Sequence, residues 1–365
     1  MDNKFLVIPY SPFSIVMQLL EGSFDKRALE QNYGACMKAA ILTGYGGADK
    51  IEIRDLEKPA IGDNEILIRT AATTVTQVDN IFRSGDHLFA RMATGVIKPK
   101  ISVMGTELAG WVESVGKDIT GFKPGEAVIA DSGTNYGAHA EYVKITPEDP
   151  VTLKPENMSF PEAAALSYGG LTALSFLQDT AKLQAGQRML ILGASGSVGS
   201  FAVQIAKAIG AHVTAVASGD NAKLVLSLGA DEFVDYRNTD ITQLKDTFDV
   251  IFDSVGKYRF GRLKPLLNDN GIFMTTDLSP NILWNMILTG MVGNKKAKIA
   301  FTGLNTFGQK MEGLQKLLQF YEDGKLKPVI DRTFTLDEIR KAHEYVSTGR
   351  KKGNVVVTVS EEGRV

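Results

Sequence analysis

One continuous stretch restricts the fold of this chain more than any other: Leu190-Ile191-Leu192-Gly193-Ala194-Ser195-Gly196-Ser197-Val198-Gly199, followed by Ser200-Phe201-Ala202-Val203-Gln204-Ile205-Ala206-Lys207. It has the form of an apolar strand, a G-x-x-G-x-x-G turn and an amphipathic helix. Gly193 permits the sharp turn, Gly196 lets a pyrophosphate approach the backbone, and Gly199 lets the helix pack close to the sheet. Ser195, Ser197 and Val198 complete the turn, and the N–H groups of the first helical turn face the anion. Strand, turn and helix in this order predict a dinucleotide site; the plainer alternative is a structural turn.

The flanking rhythm predicts two kinds of architecture. Residues 38–42, 51–55, 65–71, 108–115, 127–130 and 140–145 read as short strands between glycine and proline turns, as in a small barrel-like unit. Residues 161–178 are helical in composition and open on Pro161-Glu162. Strands over 188–192, 212–217, 233–235, 250–253 and 271–276 then alternate with helices over 200–209 and 221–228, the pattern of a doubly wound parallel sheet. The tail mixes helices near 310–322 and 336–346 with strands near 329–334 and 354–359. A strand closing the chain after the α/β block is expected to rejoin the first unit. The division is an N-terminal extension over 1–36, a first catalytic segment over 37–163, a cofactor domain over 164–304 and a return over 305–365.

Composition narrows the function. With 365 residues, two domains are expected, and a formal charge of -2 without a long basic run argues against a nucleic-acid partner. The only cysteine is Cys36, so no internal disulfide can form, a cysteine-built zinc site is excluded, and a cytoplasmic setting is expected. His87, His139, His212 and His343 are scattered without metal-ligand spacing. Phe5 to Leu20 is apolar but is broken by Pro9 and Pro12, and it is shorter than the roughly 18 residues of a membrane span.

The ribose-recognising residue lies about 20 positions beyond the last glycine of such a turn. Here that strand ends at Ala217-Ser218. Ser218 is small and neutral, leaving room for a 2′-phosphate, and Lys223 could supply charge, whereas Asp220 would repel a phosphate or bind a free diol. NADPH is favoured, with NADH the alternative.

An ordered series of motifs then resembles the medium-chain dehydrogenase/reductase superfamily, in its zinc-independent quinone oxidoreductase-like branch. The series comprises Thr76-Gln77-Val78-Asp79, Gly105-Thr106-Glu107-Leu108-Ala109-Gly110, Phe122-Lys123-Pro124-Gly125-Glu126, Gly170-Leu171-Thr172-Ala173, the glycine turn, Leu228-Gly229-Ala230-Asp231, Pro328-Val329-Ile330-Asp331-Arg332 and Gly353-Asn354-Val355-Val356. The resemblance implies an α/β chain in which a GroES-like, mostly-β catalytic domain is interrupted by a doubly wound Rossmann domain, with the active site between them. It also implies that Thr76 lies beside the nicotinamide and Thr172 contacts the cofactor. Ser195 to Val198 would hold the diphosphate, Ser218 and Tyr236 the adenosine side, and Val255 and Gly256 a cofactor-contacting loop. Asp79 and Glu107 are expected to be scaffold ion-pair partners.

In the zinc-using branch a Gly-His-Glu motif supplies a ligand; this chain has Gly105-Thr106-Glu107, and no Cys near Thr76. Reducing a simple aldehyde creates a localised alkoxide that a metal stabilises. A quinone or an α,β-unsaturated carbonyl spreads the incoming charge, so one or two hydrogen-bond donors suffice. Thr76 and Tyr136, the latter in a glycine-flanked loop, are the candidate donors. The expected activity is metal-free hydride transfer to such an acceptor. The rivals are an NAD(P)-dependent alcohol dehydrogenase and a non-catalytic NADPH-binding protein. The apolar segment 282–291 would line a substrate pocket, form a subunit contact or pack in the core, and a homodimer joined at the Rossmann sheet edge is expected.

Overall fold

In the computed structural model the described residues are 36–86, 91–92, 94–100 and 102–360. The extension and its apolar stretch, apart from Cys36, and His87 lie outside them.

Short β-rich segments separated by glycine turns build the first unit. Strands β1 (Cys36–Leu42) and β2 (Ile51–Glu57) form an antiparallel pair. Strand β3 (Ile66–Val75) leads into helix α1 (Gln77–Ser84) and is followed by β4 (Glu107–Val115), β5 (Ala127–Asp131), β6 (Tyr142–Ile145) and β7 (Val151–Leu153). Helices α2 (Phe160–Ala164) and α3 (Ser167–Leu174) cross to the second unit.

There the apolar runs become a parallel sheet: β8 (Arg188–Leu192), α4 (Ser197–Ile209), β9 (His212–Ala217), α5 (Ala222–Ser227), β10 (Glu232–Asp235), β11 (Phe248–Asp253), α6 (Phe260–Leu263), β12 (Leu267–Thr275), α7 (Pro280–Met291) and β13 (Lys296–Lys298). The strand order is β10-β9-β8-β11-β12-β13 and every pair is parallel. The order reverses between β8 and β11, and an open α/β sheet binds its ligand in the crevice beyond the strand ends at such a reversal. Phe176, Phe201, Phe252 and Phe273 are fully buried in the core around this sheet.

The chain then returns through α8 (Phe307–Glu322), β14 (Ile330–Thr335), α9 (Ile339–Ser347) and β15 (Asn354–Thr358). Strand β15 lies parallel to β14 and antiparallel to β3, completing a seven-stranded order β14-β15-β3-β4-β5-β7, with β6 also on β3. The mostly-β domain is therefore closed by both ends of the described chain, with the doubly wound domain between them. No helix among the described residues is long and apolar enough to cross a membrane.

The continuous helix expected over 161–178 is absent. Helix α2 stops at Ala164, α3 restarts at Ser167, and Ser175–Thr180 widens into a π turn. The break has a tertiary cause: the Tyr168 N–H, which an unbroken helix would commit to the carbonyl of residue 164, donates instead to the Glu107 carboxylate. Helices α1, α6 and α7 and strands β7 and β13 are not among the elements expected from the sequence.

Candidate active site

The glycine turn sits at the end of β8, at the reversal of strand order. Gly193 has a positive φ of 76°, which turns the chain out of the sheet. A Cβ on Gly199 would lie 2.1 Å from the Gly193 carbonyl oxygen, so α4 starts as close to the strand as backbone allows. The Asn221 amide nitrogen donates to Ser195 Oγ at 2.9 Å and Ser218 Oγ at 3.1 Å, joining the turn to the end of β9. Ser195, Ser197, Val198 and Ser218 are all buried. From the far side Val255 leans over Gly193, whose Cβ would meet it at 2.5 Å. The Val255 and Gly256 N–H groups are pinned by Asp253 Oδ1 at 3.2 and 3.0 Å. Thr172 is buried in α3, and α3 lies against the start of α4, because a Cβ on Gly169 would come within 2.5 Å of Ser197 Oγ. Together these contacts draw the turn, the end of β9, the Val255–Gly256 loop and α3 into one cluster at the reversal of strand order.

Of the residues expected on the adenosine side, Tyr236 is half exposed beyond β10, and Lys223 is exposed on α5. Asp220, whose charge weighs against a 2′-phosphate in the sequence, is met by Arg237, with Nη1 to Oδ2 at 3.0 Å. Sequence reasoning misses Arg237 and Asn221; each lies next to or three residues beyond a recognised position, yet nothing local marks its direction.

The other candidate residues lie in the mostly-β domain. Leu42, Phe82, Thr94, Pro99, Met104 and Tyr136 line a small apolar cavity of about 10 Å³. Tyr136 has φ 55° and ψ -156°, a conformation that costs a non-glycine residue energy and recurs at functional positions. Its ring meets Phe82 edge-on at 5.9 Å. Burial, with Asp79 nearby, pushes its phenol up to about 12, so it stays protonated at neutral pH.

Thr76 caps α1: its hydroxyl accepts from the Asp79 N–H at 3.2 Å and donates to Asp79 Oδ2 at 2.6 Å. Its proton is therefore engaged, which leaves the Tyr136 hydroxyl as the donor of the expected pair without a hydrogen bond to another described residue. Asp79 and Glu107 are buried, and neither lies within ion-pair distance of a cation among the described residues, which corrects the expected scaffold ion pairs. Asp79 serves the cap. Glu107 accepts from Thr74 Oγ1 and the Tyr168 N–H, and burial pushes its carboxyl up to about 8 against those hydrogen bonds. Beneath this floor, buried His139 and His343 meet edge-on at 5.6 Å, and His343 Nδ1 bonds Asn80 of α1 at 2.9 Å.

Thr106 stands where a histidine ligand would, and Cys36 lies on β1. Among the described residues no group of three or more His, Cys, Asp or Glu side chains is arranged to hold an ion.

Comparison with known proteins agrees with this architecture. Residues 62–156 match the alcohol dehydrogenase GroES-like domain, and residues 228–357 match the family described as zinc-binding dehydrogenase. The chain is 33% identical to a 2-methylene-furan-3-one reductase of Solanum lycopersicum, over 96% of its own length and 87% of that protein's. It is also 33% identical to the mitochondrial NAD(P)H oxidoreductase RTN4IP1 of Bos taurus, over 88% of this chain and 89% of that one. The quinone oxidoreductase structure from Coxiella burnetii superposes with a TM-score of 0.80 at 26% identity, covering 89% of this chain and all of that one (100%). With sheet order, glycine turn and interrupted β domain in place, the chain belongs to the medium-chain dehydrogenase/reductase superfamily, in its quinone oxidoreductase-like branch.

Proposed function

We propose that this protein is an NADPH-dependent reductase of quinones or α,β-unsaturated carbonyls that works without a metal. The observation that carries the reading is the make-up of the cavity: four apolar side chains, Thr94 and one protonated phenol. When bound, NADPH supplies a hydride to the acceptor. The protein's part is to hold the cofactor, exclude water with Leu42, Phe82, Pro99 and Met104, and place the Tyr136 hydroxyl where negative charge develops. Hydride addition to a conjugated acceptor leaves a delocalised oxyanion, and Tyr136 donates a hydrogen bond or proton to that oxygen. Thr76 holds Asp79 and the start of α1 in place beside this phenol. The similarity to an enone-type reductase and to a quinone oxidoreductase supports the same acceptor class. A reducing, cytoplasmic setting accords with the single cysteine.

The test is an oxidation assay of NADPH and NADH over quinones, enones and aldehydes, with and without a chelator. Chelator-insensitive reduction of quinones or enones is expected. Chelator-sensitive turnover of simple alcohols sinks the proposal, as does dinucleotide binding without turnover of any acceptor.

Preference for NADPH rests on Ser218, Lys223 and Arg237 gathered around the adenosine end. The Arg237–Asp220 pair is exposed and weak, so the guanidinium can turn to a 2′-phosphate at little cost. Arg237→Ala is expected to raise the KM for NADPH about tenfold and leave that for NADH unchanged, read from initial rates.

We also propose that two copies pair through α7 and the open edge at β13. Helix α7 buries Ile282 but exposes Trp284 at 61%, Ile287 at 56% and Met291 at 71%, an apolar stripe at helical spacing that a partner can cover. Neither core packing nor the cavity accounts for that face, since none of its residues lines the cavity. Trp284→Glu should convert a dimer to a monomer in sedimentation velocity; a monomeric parent protein removes the proposal.

A further inference from the structure

The loop between α9 and β15 carries three consecutive cations, Arg350, Lys351 and Lys352, and its end is fastened to the glycine turn. The Gly353 N–H donates to the Ser195 carbonyl at 2.7 Å, and Gly353 bridges Gly196 in parallel register. Ser197 Oγ donates to Asn354 Oδ1 at 2.6 Å. Arg350 and Lys352 are exposed, but Lys351 is half-buried, and its Nζ donates to the Gly353 carbonyl at 2.7 Å. That is one bond for a group with three donors, and no carboxylate lies within 4.0 Å among the described residues. Burial pushes this ammonium down to about 8, against the pull of Asp331 and Glu107. A partly buried ammonium whose nearest carboxylates stay beyond ion-pair distance is stabilised by an anion that comes to it.

The turn supplies the other half of the argument. A diphosphate brings two negative charges, whereas a helix N-terminus offers the equivalent of about half a positive charge. From Gly193 onward the first cation is Lys207, and it is bonded at the far end of α4 to Asp231 at 2.8 Å and the Ala211 carbonyl at 3.0 Å. The segment that should hold the diphosphate therefore has no cation of its own within reach, while Lys351 is brought to it from residues distant in sequence.

We propose that the Lys351 ammonium is the counter-charge for the diphosphate of the bound dinucleotide, acting with the backbone N–H groups of the turn. This rests on the dinucleotide reading above. It makes the β15 loop part of the cofactor site, so that cofactor binding joins the two domains electrostatically.

The experiment is direct calorimetric binding of NADPH, 2′-phospho-ADP-ribose and 2′-AMP to the full chain and to Lys351→Met and Lys351→Arg. Lys351→Met is expected to weaken NADPH and 2′-phospho-ADP-ribose about 10- to 100-fold while 2′-AMP, which has no diphosphate, binds as before. Lys351→Arg should stay within about threefold of the parent protein, because it keeps the charge, and it carries the test if the Met variant does not fold. Equal affinity of Lys351→Met for 2′-phospho-ADP-ribose overturns the proposal. So does an equal loss for 2′-AMP, or failure of the arginine to restore binding. If the parent protein binds neither dinucleotide compound, the dinucleotide reading itself falls.

Discussion

Tyr136→Phe should lower kcat for quinone or enone reduction about 100-fold, the scale of losing one aligned donor to an oxyanion, with NADPH affinity within about twofold. The substitution keeps the ring, its edge contact with Phe82 and the apolar wall, and removes only the hydroxyl. The effect belongs in kcat because charge on the acceptor oxygen develops during hydride transfer and is absent from the bound ground state. Because burial raises the phenol to about 12, its protonation does not change between pH 6 and 9, and it imposes no inflection there. Thr76→Val should cost less, since the Thr76 proton already belongs to Asp79 and the chief loss is a helix cap of about 1 kcal/mol. Stopped-flow reduction of one good acceptor compares the two. Unchanged turnover in Tyr136→Phe would remove the tyrosine from the mechanism.

Gly199→Ala should have the larger effect on structure. The added methyl would meet the Gly193 carbonyl oxygen at 2.1 Å and the Ala194 Cα at 2.8 Å, both of them backbone atoms. A side-chain neighbour could rotate away, but here the start of α4 has to move off β8, at a cost of about 3 kcal/mol. Because the same movement displaces the N–H groups that face the diphosphate, dinucleotide affinity should fall at least about tenfold along with the melting temperature. Calorimetry and a thermal melt measure both. A variant that melts and binds as the parent protein does would show that the turn has slack the geometry denies.

These two residues differ in how openly the sequence declares them. Gly199 is legible because its requirement is local: the spacing from Gly193 and Gly196 encodes a backbone path, and the structure follows that path. Tyr136 is legible only as a residue in a glycine-flanked loop. Its burial beside Phe82 and near Asp79 depends on the meeting of chain segments over fifty residues apart. Arg237 answers Asp220 across seventeen positions, and Lys351 reaches Gly196 through Gly353 from the other end of the cofactor domain. The helix break before Ser167 is of the same kind, since Glu107 sixty-one positions earlier claims the Tyr168 N–H.

By itself the sequence determined the strand–turn–helix around Gly193, the alternating α/β block, the turn-rich β segments and the absence of the cysteine–histidine set that zinc requires. All of these are written in near-neighbour spacing and in residue counts, which act through φ preference, periodic burial and ligand chemistry. The tertiary structure alone decided which hydroxyl keeps a proton to give, which acid meets which cation, and which face of α7 is left bare. Those outcomes depend on direction and desolvation, and both are fixed only when remote segments pack together.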